Sequence, residues 1–217
     1  AMTCSLAACG GSSDEEPATD DQTTEDTAAN DAGTESDLAY VQDKGTLVVG
    51  ITEFEPMDYQ DADGNWIGFD ADMAKAFAES LGVTAEFQLI EWDNKVMELD
   101  GKTIDVVWNG MTLTDEVTSA MSCSNAYCNN AQVVVLPADV AADYPDVESM
   151  AGLNFAVESG SFGQAQAEAN GFTYTEVVDQ ATALMEVASG TADAAIIDSL
   201  MAGAMAVSYT HLRAHET

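Results

Sequence analysis

The stretch from Gly101 to Tyr127, GKTIDVVWNGMTLTDEVTSAMSCSNAY, holds the densest set of side chains able to grip a small polar molecule. A short apolar run, Ile104 to Trp108, breaks at Asn109 and Gly110 into Thr112, Thr114, Asp115 and Glu116. Hydroxyls and backbone N–H groups at a strand end face the crevice in which open α/β sheets hold their ligands. A second apolar run ends in the Gly/Ser loop Glu158-Ser-Gly-Ser-Phe-Gly163, and a third ends at Asp198, the strongest acidic candidate for ligand contact. These groups suit binding better than catalysis. No histidine precedes His211 to act as a base or metal ligand, and no G-x-S-x-G nucleophile is present. No catalytic residue, cofactor or metal is expected.

The elements that must position these loops alternate. Gly45 to Ile51 is a buried parallel-type strand, followed by an irregular turn with Phe54 and Pro56 and a turn signal at Asp63-Gly64. Asp70 is the expected N-cap of a helix whose buried face repeats as Phe69, Met73, Phe77 and Leu81, closed by Gly82. Ala85 to Ile90 is a strand, Asn94 to Leu99 a short helix, and Ile104 to Trp108 the strand that feeds the first loop. After a strand at Gln132 to Pro137 the order begins again: strand Gly152 to Val157, helix Gln164 to Asn170, strand Tyr174 to Val178, helix Gln180 to Ser189, strand Ala194 to Ile197. The repeated β-α-β order implies parallel sheets flanked by helices. Gly101…Asp105-Val-Val and Gly190…Asp193-Ala-Ala echo each other, so two similar lobes with a ligand cleft between them are expected, and both aspartates are read as turn formers. Trp92 and Trp108 are read as packing residues, and Glu53, Glu55 and Glu158 as solvated groups at the cleft mouth, with a joint bias toward cationic ligands as the alternative.

Of the 217 residues, 39 are Asp or Glu and 5 are Lys or Arg, a formal charge of −34. Such a chain repels phosphate, which excludes nucleic acid as a partner. It also gains nothing electrostatically from an anionic membrane surface. Leu6-Ala7-Ala8-Cys9-Gly10 resembles the cleavage and acylation site of a bacterial lipoprotein signal, here covering residues 1–9 in part, with Cys9 as the lipidated residue. Gly10 to Asp37 has no aromatic or branched aliphatic residue, and residues 10–43 are expected to be a disordered acidic tether. Cys123 and Cys128 are read as a possible local disulfide, with a free buried pair as the alternative.

GTLVVGITEFEPM, GNWIGFDADMAKAFAESLG, DGKTIDVVWNGMTLTDE, SNAY, FAVESGSFG and ADAAIID in succession resemble the extracellular solute-binding proteins of family 3, which serve polar amino-acid ABC importers. The likeness covers residues 44 to about 207. It implies a type II periplasmic-binding-protein clamshell, an α/β fold with lobes at 44–132 and 133–207, the second incomplete at its C-terminus. It implies a monomer, lipid-anchored outside the cytoplasmic membrane, that closes on a small polar solute, an amino acid, and docks on an ABC permease. By position it places Phe54 against the ligand side chain, and Gly110 and Thr112 at the head group. Ser161, with the N–H groups around it, caps the carboxylate, Phe162 is a further ligand-binding residue, and Asp198 accepts the ammonium. The same fold also serves receptor sensor domains and a few dehydratase-like enzymes.

One position departs from that pattern. The family's Arg, which grips the α-carboxylate, is replaced here by Val117. Thr112, Thr114, Ser161, backbone N–H groups or one of Lys44, Lys75, Lys95 and Lys102 must replace it, or the ligand lacks that carboxylate. Both histidines and the one arginine fall within SYTHLRAHET, and residues 208–217 are expected to be a non-native tail.

Overall fold

A computed structural model describes residues 36–205 and 212–216, all within one unit, Glu35–Thr217. The first sheet is parallel, in the order β4-β1-β5, from β1 (Thr46–Ile51), β4 (Thr84–Leu89) and β5 (Val106–Val107). Helix α1 (Asp37–Lys44) leads into β1, and a small antiparallel ribbon, β2 (Tyr59–Gln60) with β3 (Trp66–Ile67), precedes α2 (Phe69–Ser80). Helix α3 (Lys95–Asp100) follows β4, and α4 (Asp115–Ala120) follows β5. An irregular segment then crosses to the second sheet, ordered β10-β6-β9-β7-β8. It comprises β6 (Gln132–Pro137), β7 (Asn154–Glu158), β8 (Thr173–Val177), β9 (Ala194–Asp198) and β10 (Leu212–Glu216), with α5 (Phe162–Ala169), α6 (Gln180–Ser189) and α7 (Ser199–Met205). Strands β7, β8 and β9 are parallel, and β6 joins them antiparallel.

The two halves do echo each other at the level of single hydrogen bonds. Asp105 N–H donates to Val48 O at 2.8 Å while its carboxylate accepts from Val48 N–H at 2.7 Å. Asp193 brackets Asn154 in the same way, at 2.9 Å for both bonds. Each aspartate pins the start of a parallel pair, the structural role expected of it.

Three details differ from the sequence reading. Helix α2 faces its sheet with Ala71, Ala74 and Ala78, all 0 % exposed, while Phe69, Met73 and Phe77 are exposed at 42–50 %. Small residues let helix and sheet approach closely, so the larger side chains are pushed to the flanks, where Phe77 tilts against Trp108 and Phe69 stacks on Tyr127. Gly68, not Asp70, caps that helix, and Asp70 is buried in its first turn. Residues 37–43, expected in the tether, are helical, with Val41 buried against β1. The rest of that tether and Cys9 lie outside the described residues. In the segment expected to be a non-native tail, β10 pairs antiparallel with β6, from Leu212 opposite Pro137 to Glu216 opposite Val133.

Candidate functional site

The carboxyl ends of the parallel strands in both sheets converge on a cleft of about 560 Å³. From the first sheet come Trp92, Asp93 and Lys95 after β4, and Asn109 to Thr114 after β5. The second contributes Glu158, Gly160 and Ser161 after β7, Gln180 after β8, and Asp198 at the end of β9.

Asn109 sets the first loop. Its Oδ1 accepts from Thr52 N–H at 3.0 Å and its Nδ2 donates to Thr52 Oγ1 at 2.7 Å, tying the end of β5 to the end of β1. The next residue, Gly110, has φ 60°, and a Cβ there would lie 2.6 Å from Phe54 Cε1. Only glycine fits both demands. The chain then runs through Met111 and Thr112 along the cleft to Thr114, whose Oγ1 caps α4 by accepting from Val117 N–H at 3.2 Å. Val117, where the resemblance led an arginine to be expected, lines the cleft with an apolar side chain.

Ser161 sets the second loop. It caps α5 through Gln164 N–H at 3.1 Å, and Gln164 Oε1 in turn accepts from Gly160 N–H at 2.7 Å. This fixes the positive end of α5 against the cleft. Gly160, at φ 69°, lies so close to the first lobe that an added Cβ would sit 2.6 Å from Asp93 Cα.

Lys95 joins the two sides. Its Nζ donates to Trp92 O at 3.1 Å and to Gly160 O at 3.0 Å and lies 4.9 Å from the Trp92 ring centroid. Burial pushes the ammonium below the usual lysine range, opposed by Asp93, Glu158 and Glu116. The other three lysines are engaged away from the cleft: Lys44 with Asp105, Lys75 with Trp66 O, and Lys102 over Tyr40.

An acidic network lines the cleft at the strand ends of the second sheet. Asp198 accepts from Gln132 Nε2 at 2.6 Å, from Gln180 Nε2 at 2.5 Å, and from Asn130 Nδ2; its own N–H donates to Gln180 Oε1 at 2.8 Å. Burial raises its carboxyl and the three amide donors oppose that rise. Glu158 is 3 % exposed, so it is a buried group and not the solvated one expected at the mouth. Gln180 Nε2 approaches its Oε2 at 3.4 Å, whereas Oε1 has no partner. Burial pushes its carboxyl up to about 8.

Of the residues singled out from sequence, Gly110, Thr112, Ser161, Phe162 and Asp198 line the cleft together. Phe54 does not. It is 2 % exposed and packs with Met57 into the apolar cluster of Val133, Val135 and Ile197, joining the turn after β1 to the second sheet. Trp92, expected to be packing, does line the cleft. Cys123 and Cys128 are exposed free thiols, not a disulfide or a buried pair, and Cys123 Sγ lies 3.6 Å from Met121 O. Gln132 and Gln180 were not anticipated. Their only sequence signal is an amide at the entry to an apolar strand and another at a helix start. Among the described residues no three metal-ligating side chains cluster, and no helix is long and apolar enough to cross a membrane.

Two α/β lobes with a polar cleft at their strand ends define a type II periplasmic-binding-protein-like fold. Residues 47–191 match the model of the bacterial extracellular solute-binding proteins, family 3, and the chain belongs to that family. It is 37 % identical over 91 residues to the L-cystine-binding protein TcyJ of Escherichia coli (strain K12), covering 42 % of this chain and 34 % of TcyJ. With the arginine-binding extracellular protein ArtP of Bacillus subtilis (strain 168) it shares 27 % over 164 residues, 73 % of this chain and 63 % of ArtP. The chain thus spans between 34 % and 63 % of the length of these curated relatives. Among solved structures, an ancestral amino acid-binding protein, AncCDT-1, a precursor of cyclohexadienyl dehydratase, superposes with a TM-score of 0.78 at 30 % identity over 84 % of this chain and 82 % of that one.

Proposed function

We propose that the chain holds one α-amino acid in this cleft and hands it to the membrane permease of an ABC importer, remaining tethered outside the cell membrane through a lipid on Cys9. The observation that carries the reading is the polar lining of the cleft, which brings Lys95 and the Thr112 and Ser161 hydroxyls together with the carboxylate of Asp198. Lys95, the Thr112 and Ser161 hydroxyls and the start of α5 offer positive potential to a carboxylate, supplying what an arginine at position 117 would have given. Asp198, already oriented by three amide donors, accepts the α-ammonium. Relatives that bind cystine and arginine support the ligand class. The protein acts as a monomer, needs no cofactor, and retains its ligand unchanged.

Thermal unfolding with each of the common L-amino acids at millimolar concentration tests this. A micromolar ligand stabilises the folded chain by roughly 4 kcal/mol under those conditions. Stabilisation by at least one α-amino acid, abolished in Asp198→Asn, is expected. For the tether, Cys9→Ser should release the protein from the membrane fraction of expressing cells.

A second reading, a dehydratase-type enzyme, draws on Glu158, whose raised carboxyl is protonated at neutral pH as a general acid must be. Turnover of a bound carboxylic acid, rather than its recovery intact, would favour it.

A further inference from the structure

The α-carboxylate and α-ammonium of an amino acid use the donors of the cleft and Asp198. Glu158 is left over. Its Oε1 is buried, lines the cleft wall and has no hydrogen-bond partner, which is costly unless a ligand supplies one. Among the described residues the cation that acts on it is Lys95, through space only. Lys95 on α3 is the one basic group of the cleft among the described residues, and its ammonium is turned to the carbonyls of Trp92 and Gly160 rather than to Glu158. Gln180 on α6 reaches only Oε2, while Asp198 on β9 and Asp179 before α6 add negative charge. Farther out, Asp93, Asp115, Glu116 and Glu168 line the same cleft. Among the described residues, five carboxylates besides Glu158 against one lysine give the site a field that favours a positively charged guest.

We propose that Glu158 is the specificity-determining residue of the cleft, taking the ammonium or guanidinium at the far end of a dibasic amino acid, so that the ligand carries net positive charge. This rests on the amino-acid reading above for the ligand's other end. A cation beside Oε1 completes the missing partner and holds Glu158 ionised. The groups that face Glu158, namely Gln180, Asp198, Asp179 and Lys95, contain no other proton donor able to do so without leaving its present partner.

The test compares ligands that differ only in the distal charge. Binding of L-arginine and L-citrulline, and of L-lysine and L-norleucine, is measured by calorimetry with the wild-type chain and with Glu158→Gln, using agmatine and cadaverine as partners that lack the carboxylate. Wild type should prefer the cationic member of a pair by roughly tenfold or more, the scale of a charge-assisted bond over a neutral one. In Glu158→Gln that preference should collapse while the neutral member binds at least as well. Equal affinity for charged and neutral members, or tighter binding of the neutral member by wild type, overturns the proposal, and the wild-type comparison stands even where the variant fails to fold. Tight binding of agmatine or cadaverine with no binding of arginine or lysine would uphold Glu158 as the cation site and overturn the amino-acid reading. Absence of binding by every one of these cations overturns the proposal, and binding of a neutral α-amino acid in that case leaves the amino-acid reading intact.

Discussion

Lys95 Nζ donates to the carbonyl of Gly160 at 3.0 Å, so an ammonium carried by α3 of the first lobe is held by the loop that follows β7 of the second. Among the described residues the same ammonium is the cleft's one basic group, so lobe contact and ligand charge meet in a single side chain. Replacing it by methionine keeps the length and the Trp92 contact but removes the charge and both hydrogen bonds. Lys95→Met is predicted to weaken amino-acid binding by roughly ten- to a hundredfold, the worth of one charge-assisted hydrogen bond. Calorimetry measures it, and an unchanged Kd would place the carboxylate elsewhere.

Gly160→Ala tests the closeness of the lobes. The added methyl would meet Asp93 Cα at 2.6 Å and the residue would have to hold φ at 69°. Separating the lobes relieves the clash more readily than unfolding either sheet. The variant should therefore melt cooperatively, show a larger radius of gyration in X-ray scattering, and lose ligand affinity. A wild-type scattering curve would argue against the contact.

Asp58 and Asp70 are both 0 % exposed, and none of their carboxyl oxygens has a hydrogen-bond partner of good geometry. Burial, the neighbouring Asp70 and Glu53 push Asp58 from 3.8 up to about 8, and burial raises Asp70 as well. The folded chain thus keeps a proton on Asp58 that the unfolded chain loses near pH 3.8, and stability is fullest below that value and falls as pH rises toward about 8. Asp58→Asn removes the ionisation and should raise stability at pH 8 by about 1 kcal/mol or more. Urea unfolding at pH 5 and pH 8 reads this directly: the wild type should be less stable at pH 8, and the variant should show a smaller loss.

Cys123 and Cys128 carry no structural bond, so the melting temperature should be the same with and without reductant. Cys123→Ser and Cys128→Ser should each change stability by no more than about 0.5 kcal/mol. A loss of about 2 kcal/mol or more would indicate a disulfide.

Much of this was legible in the residues. The strand ends were, because apolar runs that stop at Asn109-Gly110, Glu158 and Asp198 announce both the sheet and its crevice. Phe54 misled because an aromatic in a turn after a strand looks the same whether it meets a ligand or, as here, the core of the opposite sheet. The α2 face misled for a related reason: large apolar residues at a spacing of four suggested burial, but alanines permit the closer approach and took the sheet-facing stripe. Glu158 and Lys95 were both named from sequence, but their burial was not, because burial of a charge is a property of two lobes meeting, and no local pattern encodes it.

The central claim is that the cleft retains an α-amino acid unchanged. Native mass spectrometry of the protein incubated with an equimolar mixture of L-amino acids, followed by denaturation and identification of the released molecule, tests it most directly. The account predicts one intact amino acid per chain, lost in Asp198→Asn. Recovery of no α-amino acid, or of a chemically altered product, would contradict it.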